Sequence, residues 1–96
     1  MANLMHRATL AILRSAMWAS RDLTIEYHGE ILTVEPHALL HASRSSAFVL
    51  AAWVPAQTKW GFFRFAEIRG VTFEKRVFIP RPGVPRTVPY GSAVGH

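Results

Sequence analysis

The chain has no cysteine. Disulfides, thiolate zinc sites and cysteine nucleophiles are therefore excluded together. It has one aspartate, Asp22, among six acidic residues, which leaves little material for carboxylate-pair catalysis or a carboxylate-rich metal centre. No apolar run approaches the ~18 to 20 residues that a membrane-spanning helix needs. The longest, Ala47 to Val54, has the length of a buried strand. What is present is the composition of a packed domain: 50% hydrophobic, 18% charged and 11% aromatic residues. The 96 residues suffice for one small domain. A domain of this size buries roughly two-thirds of its unfolded surface, so self-association is a natural source of added stability.

Charge is distributed unevenly. The formal net charge is +5, and nine of the eleven bases are arginine. Residues 1–40 carry three arginines against four acids, a net −1, whereas residues 41–96 carry eight bases against Glu67 and Glu74, a net +6. Arginine suits bidentate contacts to phosphate and carboxylate, so the C-terminal half is suited to an anionic partner; a solvated basic surface is the plainer alternative. Residues 1–21 contain no acid and carry Arg7, Arg14 and Arg21, which imitates an organelle presequence. Arg14 interrupts any secretory apolar core, and the segment reads as the first helix of a cytoplasmic domain.

That helix is expected from about Leu4 to Ala19, capped by Asn3, with Leu4, Ala8, Ala11, Ile12, Ala16 and Trp18 on its apolar side. From Asp22 the apolar period drops from about 3.6 to 2. Leu23, Ile25 and Tyr27 alternate with Thr24, Glu26 and His28 in a half-buried strand, and Gly29-Glu30 forms a tight turn. A second strand runs from Ile31 toward Ala42, with a bulge or an edge expected at Pro36, which has no N–H to donate. A Ser43–Ser46 loop, a central strand at Phe48–Val54, an alternating strand at Trp60–Ile68 and a short strand at Val71–Glu74 complete the pattern. The expected core includes Ile25, Val34, Leu39, Leu50, Phe63 and Phe65. After Phe78 come four of the six prolines, so residues 85–96 are expected to form a flexible tail and residues 1–84 the domain. The reading is mainly β with an N-terminal helix: a small antiparallel barrel of about five strands, at about residues 22–78.

Four segments in order, "LTIEYHGEILTVEPHALL", "FVLAAWV", "WGFFRFAEI" and "VFIPRPGV", resemble the WYL domain, especially short stand-alone WYL-like proteins. The matches are Tyr27 and Gly29 with Val34-Glu35-Pro36-His37, then Leu50 and Ala52-Trp53, then Trp60, Phe63 and Arg64, and finally Phe78, Pro80 and Arg81. The named Trp-Tyr-Leu run falls on Phe48-Val49-Leu50, where the leucine alone is retained. Many WYL domains place arginine at two positions that hold Gly61 and Glu67 here, so two anion contacts of the family are missing. The resemblance implies an Sm-like or SH3-like barrel. It also implies a role in bacterial transcription regulators, in which such domains sit behind a DNA-binding domain and sense nucleotides or single-stranded nucleic acid. With no DNA-binding domain beside it, this chain is expected to be a module of such a system.

The candidate site follows from residues and resemblance together. Arg64 stands mid-strand on the face of Trp60 and Phe62, where a cation must be paired or reach solvent; it is either an anion ligand or the partner of Glu35 or Glu67. Arg64, His37 and Tyr27 are expected to line one pocket, with Trp60 or Trp53 as its wall and Arg81 as a further ligand-binding residue. His37 and His41 would lie about 13 Å apart on a regular strand, too far for one zinc ion. Neither a metal nor a cofactor is expected. The serines near His41 lack a nucleophile elbow, and no acid–base constellation points to an enzyme. Two readings stand: a regulatory module that binds a nucleotide or single-stranded nucleic acid, or a protein-interaction module that assembles with itself or with a regulatory protein, without a membrane role.

Overall fold

The computed structural model describes residues 5–42 and 47–89. The fold is mainly β: helix α1 (Leu10–Ala19) precedes strands β1 (Arg21–Tyr27), β2 (Glu30–His41), β3 (Phe48–Val54), β4 (Lys59–Arg64) and β5 (Ile68–Val77), with a 3-10 turn at Phe65–Glu67. All strand pairings are antiparallel, and the sheet order is β4-β3-β2-β1-β5.

The helix is shorter than its apolar pattern suggested. Thr9 caps it, its hydroxyl accepting from the Ile12 N–H at 3.1 Å, and Asn3 lies outside the described residues. Residues before Thr9 are drawn away by β5: the N–H and C=O of His6 exchange hydrogen bonds of 2.8 Å with those of Val71. Gly70 permits this approach, since a Cβ there would stand 3.0 Å from the Met5 Cβ. Ser20, with a left-handed φ of 54°, ends the helix. Leu13 and Ala16 are its buried residues, while Trp18, expected on the packed side, is 92% exposed.

The first hairpin turns on His28 and Gly29, both at positive φ, rather than on Gly29 and Glu30. Such a two-residue turn matches the twist of its strands. β2 is long enough to serve both ends of the sheet. Its first residues pair with β1 up to Val34, and its later ones pair with β3 from Glu35 to His41. The register shifts between Pro36 and Ala38, a bulge at the proline, and His37 is the extra residue. A bulge re-aims the side chain it carries.

The alternating stretch from Trp60 to Ile68 is divided. β4 stops at Arg64, the 3-10 turn bends the chain, and β5 begins at Ile68 and continues to Val77, well beyond the short strand expected at Val71–Glu74. The core gathers Leu13, Leu23, Ile25, Val34, Leu50, Val54, Phe63 and Val71, with Leu39 and Phe65 half-buried against it. Beyond β5, Phe78 is buried and its N–H bonds the Ser20 carbonyl at 2.8 Å. The chain then passes Ala38 and Leu40 of β2 at Gly83 to Arg86.

Candidate functional site

The bulge sets the first half of the site. It leaves Glu35 only 1% exposed in the sheet interior, where Arg81 Nε at 2.7 Å and Nη2 at 3.2 Å grip its two carboxylate oxygens. Arg76 reaches Glu35 at 3.3 Å and Asp22 at 2.9 Å. Burial pushes the Glu35 carboxyl up, but the hydrogen bonds and charges of Arg81 and Arg76 outweigh it and hold the group below the usual carboxylate range. The His37 side chain is 5% exposed, with Nε2 3.7 Å from Glu35 Oε1 and no hydrogen-bond partner. Burial pushes its pKa down, against the pull of Glu35. The His37 ring packs edge-on against Trp60 at 5.0 Å and tilted against Phe78 at 4.8 Å. Arg81 lies over the Trp53 ring at 4.6 Å, and Trp53 meets Trp60 at 5.4 Å.

The second half stands at the first hairpin. The Tyr27 and His28 rings stack 4.1 Å apart, and the Phe63 edge meets Tyr27 at 5.0 Å. The Tyr27 hydroxyl accepts the backbone N–H of Arg64 at 3.1 Å and lies 3.4 Å from Glu67 Oε1. His28 Nε2 is 2.6 Å from the same carboxylate oxygen. That hydrogen bond lowers the Glu67 pKa. The Arg64 side chain is 52% exposed, and its guanidinium stands 4.0 Å from Glu67. Because Glu67 is already engaged by His28, Arg64 keeps most of its donors for another anion.

Between hairpin and β4 lies a cleft of about 370 Å³, within the range of small-ligand sites. Tyr27, His28, Lys59, Trp60, Phe62 and Phe63 are among its walls. The single pocket expected for Arg64, His37 and Tyr27 is therefore divided. Tyr27 and Trp60 line the cleft, and Arg64 adjoins it through its N–H on Tyr27. His37, Trp53 and Arg81 stand together behind Trp60, which touches both groups. Arg81 is bound to Glu35, whereas among the described residues the Arg64 guanidinium has only the loose approach to Glu67. Among the described residues, no three His, Asp or Glu side chains gather as a metal site, and no helix is long and apolar enough to cross a membrane.

A sequence model of the WYL domain matches residues 8–73, about two-thirds of the chain. The chain belongs to the WYL domain family. No curated protein and no solved structure matches it. Within this WYL domain, the position that holds Glu67 in place of the family's arginine supplies the carboxylate for His28 and Tyr27. The other departure, Gly61, has a steric reason: a Cβ there would fall 2.7 Å from the Phe63 ring. Arg76 and Lys59 escaped sequence reasoning, as did the partners of Asp22 and His28, whereas Phe62 was already placed with Trp60 beside Arg64. The partners in the His28–Glu67 and Asp22–Arg76 pairs are 39 and 54 residues apart, and no periodicity joins them.

Proposed function

We propose that this WYL domain is a regulatory sensing module that binds an anionic ligand, a nucleotide or short single-stranded nucleic acid, in the cleft between the first hairpin and β4. The observation that carries this reading is the convergence of aromatic walls with cations. Trp60, Phe62 and the Tyr27–His28 stack offer faces for a base, and Lys59 lines the same cleft. Arg64 stands beside it with a half-exposed guanidinium. Stacking on aromatic rings along a basic groove is how single strands are held without sequence preference. Charge-assisted bonds from Arg64 would hold the phosphate. Arg81 and His37 support the site from behind Trp60.

Titration of a labelled oligonucleotide at two salt concentrations tests the reading. Binding should weaken as salt rises. Trp60→Ala should cost at least about tenfold in affinity, in line with loss of a base-stacking surface. Arg64→Ala should weaken binding and flatten the salt dependence, and Arg64→Lys should restore it in part. Salt-independent binding, or full affinity in Trp60→Ala and Arg64→Ala, would remove the cleft from consideration. A second reading, a self-assembly or protein-interaction surface, is favoured by the exposed Trp18, with Met17, Leu39 and Phe48 beside it. Sedimentation of wild type against Trp18→Ser tests that surface; a monomer in both argues against self-assembly.

A further inference from the structure

β4 is the terminal strand on its side of the sheet, and its free edge is defined by one hydrogen bond. In an antiparallel pair, residues that bond across the ladder alternate with residues whose N–H and C=O point the other way. The Arg64 N–H goes to the Tyr27 hydroxyl, not to Val49 opposite it, so Arg64 is of the second kind. The register runs unbroken from Val49↔Arg64 to Val54↔Lys59, which makes Phe62 and Trp60 of the second kind as well. Their N–H and C=O groups face outward, on the side where Tyr27 stands. Among the described residues, no backbone hydrogen bond outside the ladder reaches either one. Tyr27, Trp60 and Phe62 all line the same cleft. The edge of β5 is different, since His6 occupies it at Val71.

We infer that this open edge of β4 reads the hydrogen-bonding edge of a nucleobase. The Trp60 C=O accepts from a base N–H, and the Phe62 N–H donates to the neighbouring ring nitrogen or carbonyl oxygen. Every base carries such an adjacent donor and acceptor on its pairing edge, so the contact selects for a base without selecting among bases. The opening is short. Tyr27 closes it at Arg64, and the turn after Val54, bonded from Gln57 N–H to Val54 C=O and from Thr58 N–H to Pro55 C=O, closes it at the other end. Two residues span about 7 Å, enough for the edge of a planar base and too little for a paired strand. The inference rests on the nucleotide reading of the cleft and adds what holds the base, as distinct from the phosphate.

The test varies the ligand, so that folding of the protein is never at issue. The full chain is titrated with short oligothymidylate, with thymidine monophosphate, with an abasic oligomer of equal length, and with oligothymidylate methylated at thymine N3. Methylation blocks the donor and keeps every phosphate and most of the stacking face. The methylated strand should bind at least about tenfold more weakly than its parent, because a site built to hydrogen-bond is left with unpaired groups. The salt slopes of the two should match, since phosphate contacts are unchanged. The Phe62 amide resonance should shift with oligothymidylate and not with the methylated strand. If monophosphate gives the same Phe62 shift, a single nucleotide suffices as the ligand; if only the oligomer does, a strand is required. Equal affinity for parent and methylated strands, with Phe62 unmoved, overturns the inference while leaving the nucleic-acid reading intact. No binding of any of the four overturns both.

Discussion

Glu35→Gln probes the buried ionic cluster that supports the cleft from behind. The substitution keeps the shape of a side chain that is 1% exposed and removes its charge. Three charge-assisted hydrogen bonds end on this carboxylate, two from Arg81 and one from Arg76. A hydrogen bond to a charged group contributes about 1.5–3 kcal/mol. The Arg81 and Arg76 side chains are 38% and 60% exposed, so their guanidiniums regain water when the carboxylate is lost. The net loss at Glu35 is therefore set near the value of one such bond, about 2–3 kcal/mol. A domain of this length has roughly 5–14 kcal/mol in total, so the variant should fold with a Tm lower by about 10–20 °C. Thermal melts followed by circular dichroism measure it. The dependence on pH supplies a second check. The folded-state pKa of Glu35 is depressed, so its stabilisation is complete above the unfolded value near 4.5 and is lost as pH falls through the lower folded value. Wild type and Glu35→Gln should therefore converge in Tm as the solution is acidified below the folded-state pKa. A Tm within about 2 °C of wild type at neutral pH, or a gap that persists in acid, would refute the reasoning.

Arg81→Ala should lower Tm more than Glu35→Gln does, because it leaves a buried carboxylate with one fewer partner, and the double variant should recover part of the difference. His37 has a folded-state pKa depressed below 6.5, so the unfolded chain gains a proton first and stability should decline as pH falls just under that value; His37→Leu should flatten Tm across that range, and an unchanged slope would exonerate the histidine. Truncation after Val84 should move the Tm of a monomer by less than about 4 °C, and a larger drop would show that the segment beyond it docks.

Much of the architecture was legible because backbone periodicity is local. The change of period at Asp22 placed the end of the helix and the start of the sheet. Pro36 marked the bulge, since a residue with no N–H cannot complete a central ladder. Ile25, Val34, Leu50 and Phe63 are buried as the strand pattern led one to expect. The ordered motifs from Tyr27 to Arg64 lie within the matched residues 8–73 and carried the family. Tertiary structure decided what lies across strands. The helix begins at Leu10 because residues before Thr9 found hydrogen bonds on β5, a competition that no helical pattern reveals. Arg64 and Arg81 looked alike as arginines of the family motifs, yet one is half free and the other is locked on Glu35. Their difference lies in which carboxylate the folded sheet brings near, and charge in a sequence carries no direction. The open edge at Trp60 and Phe62 is a property of sheet order and register alone. Side-chain chemistry is written residue by residue, but the free backbone of a strand exists only once its neighbours have been chosen.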